Sequence, residues 1–444
     1  MAKTTDLTQG NASRVLLSFY FPMLASNLLQ QVYTMADTAI VGKGLGDHAL
    51  AAVGNLSGLM WLVFGFVQGI TNGFSVIISQ HFGARDENAL RKSVAASIRL
   101  SLMISVVMSV VCLAALRSIL VLMQTDPLIL PDSFAYAAIM IGALAVTMAY
   151  NLCACILRAL GDSKTPFTAI VVSSVLNILL DFLFIFVLHA GVGGAAVATV
   201  IAQMVSVVIC MRRLLQMKTV IPSRDDFARD MPLNVQLLKN GLPLACMNSV
   251  TAVGSMIVQG YVNSMGVDFT SAYSAGSKYV NLFMLPSITF GFTVAAFTGQ
   301  NYGAAKYSRI REGVRMGVWV GLISYGTLNA LMVLFPRFLA GLLLSGSDAI
   351  GWAAVYLRMC GFLMLPLHLL FIFRSAVQGM GKPFVPMCSG LAEMALRIFV
   401  IVFFLSRIGF SAAAWAEGAA WLGAMLMNFC AYVYAMRQLK TEKA

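Results

Sequence analysis

Four carboxylates stand where this sequence is otherwise apolar: Asp37, Asp181, Glu393 and Glu417. An ionisable group inside a stretch able to cross a bilayer is expensive, and is read by default as functional. Asn177 precedes Asp181 by four residues and Ala195 precedes Thr199 by four, so on helices each pair shares a face. The Gly191–Gly194 run just before Ala195 could loosen a backbone carbonyl there. Brought together, Asp37, Asp181, Asn177, Thr199 and the Ala195 carbonyl would form a cage of oxygens. Hard cations choose oxygen ligands, which suits Na⁺. Two carboxyl groups sharing one dry pocket also favour holding a proton, so the same cage suits H⁺. The residue types do not separate the two ions. The competing reading is that these groups only tie neighbouring helices together.

The other two acids come with cations. Glu393 and Arg397 are four apart, which favours a self-neutralising pair over a second ion or substrate site. Lys278 and Arg358 also lie deep in apolar runs and are candidates to pair with Glu417 or Glu393. Asn27, Gln30, Gln31 and Tyr33 lie in the first apolar run, where they could line a water-filled cleft or bond adjacent helices. Pro22 in the same run removes a ladder hydrogen bond and is expected to bend the helix. The 27 Met and 28 Phe are expected at lipid-facing and core positions, and would also suit a permissive cavity. All eight Cys fall in apolar stretches without a CxxC pair or a nearby His, which predicts neither disulfides nor a metal cluster. His48, His81, His189 and His368 lie at helix ends or alone and read as structural.

These residues must be carried by membrane spans. The chain of 444 residues is 59% hydrophobic and 11% charged, whereas soluble domains hold roughly 25% charged residues. Runs near the 20 residues needed to cross the hydrocarbon core recur throughout. They predict helices over 14–39, 50–80, 94–123, 133–158, 165–188 and 191–215, then 238–264, 270–299, 313–335, 349–376, 384–406 and 410–437. The polar opening Met1–Gly10 and a span-length first apolar run argue against a cleaved leader. Twelve spans put both termini on one side. Most of the 30 Lys and Arg then collect on that side, from Lys3 and Arg14 through Arg85, Arg91, Lys92, Arg212, Arg213, Arg309, Arg311 and Arg374 to Lys443. The positive-inside rule makes it cytoplasmic. This placement explains the net charge of +12 better than nucleic-acid binding does.

The chain also repeats itself. Ser79–Ala84 returns as Gly299–Ala304, Gly161–Pro166 as Gly379–Pro383, Gly191–Ala196 as Gly409–Ala414, and Pro22 as Pro243. Each match is weak alone, but four in one order indicate a duplication. The expected architecture is all-α, with twelve transmembrane helices in two six-helix bundles related by a pseudo-twofold axis. The bundles are expected over residues 1–217 and 237–444, joined by a polar cytoplasmic linker over 218–236. Parallel repeats of this kind occur in secondary transporters that work by alternating access.

Taken together, Leu7–Gly10, Pro22 with Asn27–Gln31, Asp37–Gly42, Arg158–Pro166, Asn177-x-x-x-Asp181 and Gly194–Thr199 resemble the multidrug and toxic compound extrusion (MATE) family, most closely its DinF-like prokaryotic branch. The resemblance runs over essentially the whole chain. It implies a V-shaped antiporter of the inner membrane that expels organic cations and amphipathic drugs in exchange for H⁺ or Na⁺. It assigns the ion site to Asp37, Asn177, Asp181 and Thr199, with Tyr136 nearby. The related NorM-like branch relies on acids in helices 7 and 10, and here neither helix has one in its interior. Glu393 and Glu417 therefore inherit no role. The expected partners are small-molecule substrates and the lipid bilayer, with no nucleic acid and no cofactor beyond the coupling ion, and a monomer is expected. The alternatives are a flippase for lipids or lipid-linked oligosaccharides, against which the acidic N-terminal half and twelve spans argue, and an intramembrane transferase. The latter would need an Asp-rich or His/Asp constellation at one membrane face, which the sequence lacks.

Overall fold

Backbone polar groups cannot remain unpaired in hydrocarbon, so a chain this apolar is restricted to helices or a closed barrel. The computed structural model describes residues 6–441, and no strand occurs among them. Lys3 and Lys443 lie outside the described residues. Helix α1 is Ala12–Leu45. A short helix, Asp47–Asn55, leads into α2, Ser57–Ala84. Then follow α3, Glu87–Leu122, and α4, built of Leu130–Gly142 and Leu144–Ala159. Helix α5, Lys164–Phe182, runs into a wider π turn at Leu183–Val187, and α6 is Gly191–Leu215.

The second set starts with α7, Met231–Asn263, and α8, Val267–Gly303. Helix α9, Tyr307–Ser324, continues through a π turn at Tyr325–Asn329 into Ala330–Leu334. Helix α10 comprises Ser347–Leu363 and Leu365–Gly379, α11 is Phe384–Ile408, and α12 is Ser411–Thr441. Ten of these are single helices long and apolar enough to cross a membrane, and the bent pairs of α4 and α10 bring the count to twelve. The bends, 48° and 47°, were not expected from the sequence. Pro366 opens the second half of α10, and a helix cannot run through proline without losing a backbone bond.

The duplication is written in the backbone. Arg85 and Ala305 end α2 and α8 with φ of 59° and 54°, a left-handed cap. Gly161 and Gly381 do the same after α4 and α10, with φ of 83° and 75°. This refines one expected pairing: within the Gly161–Pro166 and Gly379–Pro383 match, the partner of Gly161 is Gly381 rather than Gly379, in the 220-residue register of Ser79–Ala84 with Gly299–Ala304 and of Arg85 with Ala305.

The described residues form two compact units, one of Asp6 with Phe21–Ala245, the other of Leu7–Tyr20 with residues 246–441. These units depart from a division at 217 and 237. Helices α1 and α7 each change unit within a few residues of a proline, Pro22 and Pro243, although α1 remains one continuous helix. In the first unit the backbones of α2 and α7 nearly touch. A Cβ on Gly69 would lie 2.4 Å from Ala245 Cα, and one on Gly73 would lie 2.4 Å from Gly241 Cα. Small residues four apart permit this approach. The Arg99 guanidinium secures the preceding linker through Phe227 O (2.7 Å) and Asn234 Oδ1 (2.8 Å). In the second unit Leu7 N–H donates to Gln300 Oε1 (3.0 Å), and Arg309 donates to the carbonyl of Gly10 (2.7 Å).

Candidate functional site

The first unit brings the acid pair together. Asp37 reaches it from the second half of α1. Asn177 and Asp181 come from one face of α5, and Thr199 comes from α6, whose Gly191 start adopts φ of 62°. The π turn that ends α5 places Ile185 against Gly44 of α1, and Val41, Ile185, Val192 and Ala195 form a small apolar core beside the site. Asp181 is fully buried, Asn177 is 1% exposed and Asp37 is partly exposed.

Asp37 and Asp181 lie within electrostatic reach of each other, and Oδ1 of each is buried without a hydrogen-bond partner. The Asn177 amide satisfies both neighbours when Nδ2 donates to Asp181 Oδ2 (2.9 Å) and its oxygen accepts from the Thr199 N–H (3.2 Å). A regular helix directs that N–H at the carbonyl of Ala195. Tyr33 and Tyr136 both lie within electrostatic reach of the two acids, and Tyr33 lies close to the Thr199 side chain as well. Tyr33 is thus part of the acid pocket, whereas sequence reasoning placed it with cleft-lining residues. Its position four residues before Asp37 was the available signal. Gln30 and Gln31 are exposed on α1, and Asn27 is half-buried.

The second unit holds a different arrangement. Glu393 is bonded to Arg374 and lies 3.7 Å from Arg397, which also binds Glu417 at 2.9 Å. All four side chains are buried, and they neutralise one another across α10, α11 and α12. Two expectations need correction here. Arg374 is not a cytoplasmic-end cation but a member of this chain, because α10 extends to Gly379 and turns that side chain inward. Lys278 and Arg358 do not pair with either acid, since both are exposed and the acids are taken by Arg374 and Arg397. A further buried set, Ser287–His368–Asn329, links α8, α10 and α9 at 2.5 and 3.2 Å. Lone residues on three separate helices gave sequence reasoning no spacing from which to find it.

The Asp162 region, prominent in the sequence, is a helix cap. Its carboxylate accepts from the Thr165 N–H (3.0 Å) and hydroxyl (2.8 Å) and pairs with Arg213 (3.0 Å).

A polytopic helical membrane protein with buried polar centres and a duplicated six-span plan is, as a class, a transporter. The MatE family pattern matches residues 22–183 and 243–403. The probable multidrug resistance protein YoeA of Bacillus subtilis (strain 168) is 30% identical over 340 residues, 75% of this chain and 73% of that protein. The probable multidrug resistance protein YpnP of the same organism is 28% identical over 424 residues, covering 95% of this chain and 92% of that protein. The fold matches a crystal structure of MATE in the bent conformation with a TM-score of 0.93, at 21% identity, over 100% of this chain and 99% of that one. The chain belongs to the MatE family, the multidrug and toxic compound extrusion transporters.

Proposed function

We propose that this protein is a secondary active antiporter of a prokaryotic inner membrane. It exports organic cations and other amphipathic molecules in exchange for H⁺ or Na⁺ by alternating access. The observation that supports this most is fully buried Asp181 beside partly exposed Asp37, with one buried, partnerless oxygen on each carboxyl. Two carboxylates cannot stay in contact at low dielectric with both charges unscreened. A proton shared between them, or a cation bound to the two orphan oxygens, removes the conflict. The Asn177 oxygen, the Thr199 hydroxyl and the Ala195 carbonyl supply the further hard donors that Na⁺ requires. Asn177, anchored by the Thr199 N–H, holds Asp181 in place, and Tyr33 and Tyr136 lie close to both acids. Loading and release of the ion is then the event that substrate export is coupled to.

The test is efflux of tetraphenylphosphonium from proteoliposomes under an imposed pH or Na⁺ gradient. Wild type responds to at least one gradient, whereas Asp37→Asn and Asp181→Asn lose gradient-driven efflux. Full efflux by both variants overturns the assignment of the site.

A further inference from the structure

Helix α8 carries a polar stripe that the acid pocket does not use. Ser274, Lys278 and Asn281 recur at intervals of four and three, and all are exposed. The opposite face of the helix, with Tyr273, Gly276, Tyr279, Val280 and Phe283, is buried. Lys278 lies ten residues beyond Asp268, the first charge of the helix, or about 15 Å at 1.5 Å per residue. That places it inside a helix of membrane-spanning length and composition, farther from the helix start than a four-carbon stem can reach. An ammonium held there needs water or a ligand, and its exposed neighbours are Ser274 and Asn281, both polar, with Leu282 beside them.

No protein group neutralises it. Among the described residues Lys278 takes part in no ion pair. The two acids inside the spans of the second unit are held by Arg374 and Arg397. Arg358 makes no ion pair either, but its surroundings differ. It caps the Val333 carbonyl (3.4 Å) and shares its face with exposed Val355 and Phe362. Among the described residues Lys278 combines a place within a spanning helix, exposure, polar neighbours and no ion-pair partner.

From this we infer that Lys278, with Ser274 and Asn281 beside it, is a recognition site for an anionic group, a carboxylate or phosphate, carried by an amphipathic ligand. The inference rests on the export reading and narrows it: the exported molecules include zwitterions and anions, not cations alone. An ammonium meeting such a group away from bulk water makes a charge-assisted hydrogen bond, and the hydroxyl of Ser274 and amide of Asn281 can donate to the remaining anion oxygens.

The experiment is an anisotropy titration of fluorescein, an amphipathic carboxylate, against the detergent-solubilised full-length protein, with tetraphenylphosphonium as the cationic comparison. Wild type is expected to bind fluorescein in a salt-sensitive manner. Lys278→Gln should weaken that binding about tenfold or more, Lys278→Arg should retain most of it, and tetraphenylphosphonium binding should not weaken in either. Should Lys278→Gln fail to fold, Asn281→Asp, which sets an acid on the same stripe, is expected to weaken fluorescein in the same way. Equal fluorescein affinity in wild type and these variants overturns the proposal. Competition by phosphatidylglycerol in nanodiscs would assign the anion to a lipid headgroup, and its failure to compete would assign it to a soluble amphipath; loss of fluorescein binding in the variant is required by both. Because this readout is equilibrium binding, a wild type that binds fluorescein yet shows no gradient-driven flux contradicts the antiport reading and leaves the anion site standing.

Discussion

Replacing Arg397 by Met tests the second unit's ion chain most severely. Arg397 reaches Glu417 Oε2 from both Nε (3.0 Å) and a terminal nitrogen (2.9 Å), and these are the only ion-pair contacts of Glu417 among the described residues. Glu393 would keep Arg374, but Glu417, 7% exposed, would be left with an uncompensated buried charge. Removing one member of a buried pair typically costs about 3–5 kcal/mol, a large share of a total stability of about 5–15 kcal/mol. Arg374→Met should cost less, about 1.5–3 kcal/mol, because Glu393 still has Arg397 at 3.7 Å. The combination Arg397→Met with Glu417→Gln removes both charges and should recover most of the loss. Thermal unfolding in detergent can be followed by a fluorogenic maleimide, since Cys153, Cys155, Cys210 and Cys360 are buried, while Cys246 and Cys430 are exposed and set the baseline. A single Arg397→Met variant that melts with wild type, or a double variant less stable than that single, would refute the reasoning.

Two further outcomes follow from the packing and the linker. Gly73→Val has no room, since even a Cβ would meet Gly241 Cα at 2.4 Å and Asn240 O at 2.5 Å, so the α2–α7 contact must open. It should cost at least the roughly 1–3 kcal/mol of an overpacked core, whereas Gly54→Ala, with nothing within 4 Å, should be neutral or slightly stabilising in the same melt. In the linker, Asp226 accepts from the Ser223 backbone N–H (2.7 Å) and hydroxyl (2.9 Å) and faces Arg91 at 3.5 Å. The backbone donor first, with the hydroxyl and Arg91 adding to it, holds its carboxyl below the ordinary carboxylate range. A group depressed on folding adds stability above its unfolded value, about 3.9, and loses it as pH falls through the lower folded value. Hydrogen exchange of residues 220–230, corrected for intrinsic rates, should therefore be flat from about pH 5 to 8 and rise below about pH 4. Asp226→Asn should abolish that acid-dependent change, and an unchanged profile in the variant contradicts the assignment.

The acid pocket was legible because Asp37, Asn177, Asp181 and Thr199 are polar exceptions in apolar runs, and helical spacing fixes which of them share a face. Tyr33 was harder to place, since an aromatic that belongs in a membrane helix carries no such contrast until the fold sets it beside the acids and Thr199. Arg374 was misread for a related reason. Near the end of an apolar run a guanidinium looks like an interfacial cation, and only the continuation of α10 to Gly379 shows that it turns inward to Glu393. The Ser287–His368–Asn329 set could not be read at all, because its members are distant in sequence and meet only through helix packing. Helix boundaries followed hydropathy well, but the breaks in α4 and α10 are tertiary choices that a continuous apolar pattern conceals.

The central claim is that ion and substrate movements meet at the Asp37–Asp181 pair. The direct measurement records both fluxes in one proteoliposome: tetraphenylphosphonium leaving, and H⁺ or ²²Na⁺ moving the opposite way. The account predicts a fixed ratio between them in wild type and loss of the ion flux in Asp181→Asn. Substrate export at full rate with no accompanying ion movement would contradict it.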